Sequence, residues 1–125
     1  MKILVIDDSS VMRKIIRTVV DMLQMEMLEA KDGVDALNKL SEFYEEIDLV
    51  LLDWNMPKMN GYDVLIKMKG DEKLKDIPVM MVTTEGHQLS IIAAIRAGAS
   101  NYLVKPFGVS DLESKILECL GSGGM

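Results

Sequence analysis

Five short apolar runs, each followed by a stretch of helical periodicity, leave this chain few folds to choose from. Lys2 to Ile6 is apolar without alternation and ends on Asp7-Asp8, which is how a strand buried on both faces reads. With Ser9 or Ser10 as N-cap, Met12, Ile16, Val19 and Leu23 then recur at helical spacing, with Arg13, Lys14 and Arg17 between them. The pair repeats. Met25 to Ala30 reads as a strand, and Gly33 to Tyr44 as a helix with Val34, Leu37 and Leu40 inward. Leu49 to Leu52 is a strand closed by Asp53, and Asn60-Gly61 opens a helix carrying Val64, Leu65 and Met68. Pro78 to Val82 is a fourth strand, Gly86 to Ala97 a helix, Asn101 to Val104 a fifth strand, and Ser110 to Leu120 a last helix with Leu112, Ile116 and Leu120 on one stripe. Strand and helix alternating five times with short connections predict one α/β domain, a doubly wound (βα)5 unit whose parallel five-stranded sheet has helices on both faces.

A length of 125 residues suits that single unit. The domain is expected over residues 1–120, with a flexible Gly/Ser tail at 121–125 and no attached output domain. A net charge of −6 opposes attraction to phosphate backbones and anionic lipid, so nucleic acid is not an expected partner. No apolar run is long enough to span a bilayer, and Cys119, the only cysteine, permits no disulfide within the chain. Together these predict a cytoplasmic protein without membrane insertion. Cys119 reads as a small packing residue and His87, the only histidine, as a solvated one. Most of the eleven Met residues fall in strands or on core stripes, so they read as packing.

Polar residues gather where such a sheet binds ligands, beyond the carboxyl ends of its strands. Asp7 and Asp8 follow the first strand, Asp53 ends the third, Thr83 and Thr84 end the fourth, and Lys105 ends the fifth. Two carboxylates about 4 Å apart repel by roughly 4 kcal/mol at an effective dielectric near 20, so three need more positive charge than Lys105 alone supplies. A hard divalent cation meets that need, and an all-oxygen ligand set favours Mg2+. Taken singly, each acid could be a helix cap or a solvated loop residue. Their convergence with Lys105 and Thr83 on one edge argues for a site.

At these residues the sequence resembles the receiver domains of two-component response regulators, and among them the regulators of chemotaxis. The resemblance covers Lys2 to Leu120. It is carried by Asp7-Asp8, Asp53-Trp54-Asn55-Met56-Pro57, Val82-Thr83 and the run from Gly98 to Phe107, supported by Glu29-Ala30 and Asp32 to Leu40. It implies a flavodoxin-like sheet of order 2-1-3-4-5, for which flavodoxin and the chemotaxis regulators are themselves standard examples. It implies that Asp53 is the phosphoacceptor for a CheA-like histidine kinase, and that Asp8, Asp53 and the Asn55 backbone carbonyl hold Mg2+, with Asp7 acting partly through water. Lys105 would neutralise transferred charge, Thr83 and Tyr102 would form the switch, and Asn55 and Glu85 would tune hydrolysis of the acyl phosphate. The Lys105-Pro106 peptide would be cis.

The resemblance further implies a signalling switch whose target is the flagellar motor switch, with a phosphatase as a possible further partner. A phosphorelay intermediate or phosphate sink is the alternative within the class. Such a chain catalyses its own phosphoryl transfer and dephosphorylation without turning over an external substrate. A Mg2+-dependent phosphatase with an Asp nucleophile would need a second Asp two residues on, where Asn55 cannot cycle a proton. A flavin-binding protein would need a Ser/Thr/Gly-rich phosphate loop instead of an acidic edge. Two positions depart from the family: Thr84 replaces a smaller residue, with an expected effect on access to Asp53, and Asn60 replaces Asp as a helix cap.

Overall fold

The structure, a computed structural model, describes residues 1–121, so the expected tail lies, apart from Gly121, outside the described residues. Five strands, β1 (Lys2–Ile6), β2 (Glu26–Ala30), β3 (Leu49–Leu52), β4 (Val79–Thr83) and β5 (Asn101–Val104), alternate with five helices. The helices are α1 (Ser10–Met22), α2 (Gly33–Phe43), α3 (Gly61–Lys69), α4 (Gln88–Arg96) and α5 (Val109–Cys119). All pairings are parallel and the order is β2-β1-β3-β4-β5.

The unbroken apolar runs make sense once both faces of the sheet are seen to be covered. Alternate residues of each strand point to opposite sides. Leu4, Ile6, Val50, Leu52, Val79 and Met81 meet Ala36 and Leu40 of α2, Val64, Leu65 and Met68 of α3, and Ala94 of α4. Ile3, Val5, Leu49, Leu51, Met80 and Val82 meet Ile16, Val19 and Val20 of α1 and Leu112 and Ile116 of α5. From β1 the chain winds one way to β2 and then crosses to β3, so the winding reverses between β1 and β3. Their carboxyl ends form the crevice of such a sheet, and they deliver Asp7, Asp8 and Asp53 to it.

Three expectations need correction. Val34 is exposed, and α2 turns Gly33, Ala36 and Leu40 inward with Leu37 half-buried. Gly33 permits that rotation, because a Cβ there would stand 2.7 Å from the Met59 side chain. Helix α4 begins at Gln88, not Gly86: the Glu85 carboxylate accepts the His87 N–H at 3.0 Å and His87 Nδ1 accepts from Leu89 at 3.2 Å, which holds residues 85–87 in a cap. Helix α5 starts a residue early, where the Asp111 carboxylate accepts the Gly108 N–H at 3.0 Å. None of the described helices is long and apolar enough to cross a membrane.

Candidate functional site

Asp7 and Asp8 stand on the loop from β1 to α1. The Asp7 N–H still donates to Ala30 of β2 at 3.1 Å, so the residue continues the ladder as the chain leaves the sheet. Its carboxylate, 2% exposed as a residue, is engaged at both oxygens: one accepts the Ser9 N–H at 2.9 Å, the other the Lys105 ammonium at 2.7 Å. Ser9, of the two candidate serines, is the N-cap of α1, accepting from Met12 at 3.1 Å. Asp8 is exposed.

Asp53 follows β3, with its N–H on the Ile6 carbonyl at 2.9 Å and the residue 6% exposed. Lys105 Nζ lies 3.7 Å from its carboxylate. Carboxylate oxygens of Asp7, Asp8 and Asp53 all lie within 4.8 Å of one another. Burial pushes the Asp53 pKa above the ordinary value, the Thr83 hydroxyl and Lys105 pull it back, and the charges of Asp7 and Asp8 add to the rise. Three carboxylates thus face one ammonium. An oxygen-only set left short of positive charge fits a hard divalent cation such as Mg2+. Among the described residues this is the one group of acids placed to hold a metal.

The loop between β3 and α3 carries Asn55, which is exposed. It is closed by the Gly61 N–H on the Trp54 carbonyl at 2.8 Å, and Lys58 takes a left-handed φ of 69° at its bend. Trp54 is half-buried and stacks on Tyr62 of α3, ring centres 5.2 Å apart. On the other side, Thr83 ends β4 at 0% exposure, and its hydroxyl accepts the Glu85 N–H at 3.2 Å. The Tyr102 hydroxyl donates to the Glu85 carbonyl, and burial, then Glu85 and Asp53, push its pKa up to about 12. Thr84 is exposed at the bend beyond β4. Lys105 N–H donates to the Thr83 carbonyl at 2.8 Å, and the Lys105-Pro106 peptide is cis.

Asp7, Asp8, Asp53, Asn55, Thr83, Thr84, Glu85 and Lys105 thus lie at or just beyond the carboxyl ends of the strands, whereas Tyr102 sits within β5 opposite Met81 and reaches this edge through its hydroxyl on the Glu85 carbonyl. The structure adds two residues that sequence reasoning passed over. Gly61 was legible only as the start of a helix, yet a Cβ on it would fall 1.9 Å from the Asp53 carbonyl oxygen, so α3 can close on the site only with glycine here. Arg13 was legible only as a charge between core positions, yet its guanidinium reaches the Asp7 carbonyl at 2.6 Å.

A doubly wound α/β domain with an acidic crevice, an adjacent lysine and a buried threonine is the arrangement of a receiver. Residues 3–117 match the response regulator receiver domain, and the chain belongs to that family. It is similar over nearly its whole length to chemotaxis proteins. A chemotaxis protein CheY homolog of Campylobacter jejuni is 44% identical over 124 residues, covering 98% of this chain and 95% of the relative. Chemotaxis protein CheY1 of Helicobacter pylori is 45% identical over 123 residues, covering 98% of each. Among solved structures, chemotaxis protein CheY4 of Vibrio cholerae superposes with a TM-score of 0.87 at 29% identity, covering 95% of this chain and 98% of that one. A receiver domain protein of Clostridium thermocellum gives 0.87 at 32% identity, covering 96% and 94%. Membership in this family is consistent with phosphorylation-dependent signalling.

Proposed function

We propose that this protein is a phosphorylation-activated switch that takes a phosphoryl group from a histidine kinase onto Asp53 and thereby changes its affinity for a downstream target. The observation that carries this reading is a buried Asp53 carboxylate clustered with Asp7 and Asp8, with the Lys105 ammonium against both Asp7 and Asp53.

Asp53 is the acid free to react. Both oxygens of Asp7 are held by Ser9 and Lys105, and Asp8 lies out on the loop. An Asp53 oxygen attacks phosphorus, the P–N bond to the donor imidazole breaks, and its electron pair returns to the ring nitrogen. The Lys105 ammonium, already 3.7 Å away, meets the phosphoryl oxygens as they arrive. Bound Mg2+, held by Asp7, Asp8, Asp53 and the Asn55 carbonyl, would neutralise the charge these acids and the phosphoryl oxygens bring together. Thr83 holds the β4–α4 turn through Glu85 and can offer its proton to a phosphoryl oxygen. Asn55 and Glu85 flank the site and set how readily water reaches the acyl phosphate.

The names of the relatives favour a chemotaxis role, with a CheA-like kinase upstream and the flagellar motor switch as target. Exposed Leu89, Ile92 and Ile95 on α4, with Val104 on β5, offer apolar area for such a target. The test is intact-mass measurement after incubation with acetyl phosphate and Mg2+. One added group on the wild type and none on Asp53→Asn supports the reading. Undiminished modification of Asp53→Asn overturns it.

A further inference from the structure

Arg13 leaves the second turn of α1 and turns back toward the end of β1, where it is 17% exposed at the side chain. One arm of the guanidinium donates to the Asp7 carbonyl at 2.6 Å, and Nε donates to Glu29 of β2 at 2.9 Å. The second Glu29 oxygen is held by Arg17 at 2.7 Å, and the Glu29 backbone carbonyl accepts from Lys39 of α2 at 2.9 Å. Glu29 of β2 is thus held at its carboxylate by two arginines of α1 and at its backbone by Lys39 of α2, and through Glu29 the Arg13 side chain is fixed on one carbonyl. Partly exposed ion pairs of this kind add little to stability, so their geometry matters more than their strength.

The carbonyl in question belongs to the peptide that joins Asp7 to Asp8. Asp7 is already held by its N–H on Ala30 and by both carboxylate oxygens. Asp8 is exposed, so the direction of its carboxylate depends on the backbone beneath it. A peptide is planar, and turning the 7–8 plane about its two flanking bonds swings the Asp8 Cα and side chain with it. An anchor on the Asp7 oxygen stops that turn.

We propose that Arg13, oriented by Glu29, is a positioning residue that locks the Asp7–Asp8 peptide and so aims Asp8 at the cation site. This rests on the reading of Asp7, Asp8 and Asp53 as a Mg2+ site. Arginine is required because its planar fork reaches a carbonyl and a carboxylate at once, whereas a lysine ammonium is a single point of charge.

The test is the Mg2+ affinity of wild type, Arg13→Ala, Arg13→Lys and Glu29→Gln, followed by Trp54 fluorescence and by calorimetry, with Tm measured without Mg2+. Loss of a group that orients a metal ligand typically weakens binding by about tenfold or more. Arg13→Ala is expected to raise the Mg2+ Kd by about that factor, Arg13→Lys to recover only part, and Glu29→Gln to weaken it several-fold. Saturating Mg2+ should return the acetyl phosphate reaction of each variant to near the wild-type rate. Should Arg13→Ala not fold, Arg13→Lys and Glu29→Gln carry the same test. A lower Tm with unchanged Mg2+ affinity in these variants would reduce Arg13 to a structural clamp and overturn the proposal. A wild type that binds no Mg2+ is a different result, which removes the site reading itself and this inference with it.

Discussion

Carboxylate oxygens of Asp53, Asp7 and Asp8 lie within 4.8 Å of one another, and at that separation each pair repels by roughly 3 kcal/mol at an effective dielectric near 20. Lys105 offsets part of this, yet burial leaves the Asp53 pKa raised. The sign follows from linkage. A carboxyl whose folded pKa exceeds its unfolded value destabilises the fold when ionised, so the penalty is full above the folded pKa and is relieved as pH falls through it. Asp53→Asn removes that charge at nearly constant shape. Thermal unfolding at pH 7 without Mg2+ should therefore show the variant more stable by about 3–6 °C, with the gap closing as pH falls toward the ordinary Asp range. Mg2+ should raise Tm for the wild type and do little for the variant. A variant no more stable than wild type at pH 7 would mean that the crowding has no energetic consequence. Cys119 poses a simpler case. It is half-buried against the α1–α5 side of the core, and burial, then Glu118, push its pKa up. The thiolate is the reactive form, so alkylation by iodoacetamide at pH 8 should be at least about tenfold slower in the folded than in the unfolded chain. Equal rates would show the thiol to be freely solvated.

At the scale of elements, two glycines at opposite ends of α3 should respond in opposite ways to the same change. A Cβ on Gly61 would meet the Asp53 backbone at 1.9 Å, whereas one on Gly70 would meet nothing closer than the Ile66 carbonyl at 3.5 Å. Gly70 also has an ordinary φ of −89°. Gly61→Ala should cost at least about 2 kcal/mol in urea unfolding and slow phosphorylation of Asp53, because relief of the clash must move α3 or the Asp53 backbone. Gly70→Ala should be neutral or stabilise by up to about 1 kcal/mol through the unfolded chain. Equal effects at the two positions would argue against close approach of α3 to the site. The same contrast explains what could be read in the sequence. The strands were legible because burial on both faces leaves unbroken apolar runs, and the acids of the site were legible because they fall directly after those runs. The start of α4 was not, because His87 and Glu85 form its cap through side-chain hydrogen bonds that no periodicity records. The inward face of α2 was misjudged at Val34 because the helix buries Gly33 against Met59, with Ala36 and Leu40, and a glycine gives no hydrophobic signal of that. Gly61 and Arg13 matter through contacts made only once the chain has folded, and their neighbours in sequence give no sign of it.

Across the whole molecule, the candidate site and the surface of α4 and β5 are joined through a single residue, Glu85. Thr83 lies opposite Val104, and Met81 opposite Tyr102, in the pairing of β4 with β5. Beyond that pairing, the Glu85 N–H donates to the Thr83 hydroxyl at 3.2 Å while the Glu85 carbonyl accepts the Tyr102 hydroxyl. Phosphorylation of Asp53 would replace a carboxylate by a group carrying about −1.5 to −2 charges and three acceptor oxygens next to Thr83. A threonine hydroxyl has one proton to give. Drawn toward the phosphoryl group, the hydroxyl would move its acceptor oxygen relative to the Glu85 N–H, so that the turn would shift and Tyr102 and the apolar side chains of α4 would be re-presented to a partner. The partner can bias the equilibrium only by its preference for one of the two arrangements. Thr83→Ala and Tyr102→Phe cut the relay at its two ends without altering Asp53, and Tyr102→Phe removes only the hydroxyl. Backbone amide shifts of α4 and β5, recorded with and without a phosphoryl mimic, should lose more than half of their response in either variant. The affinity gain for a motor-switch peptide should fall in parallel. The double variant should be no worse than the weaker single one, since both act on one path. Full retention of the response in both single variants, with the mimic bound, would show that the signal leaves Asp53 by a route that bypasses Glu85.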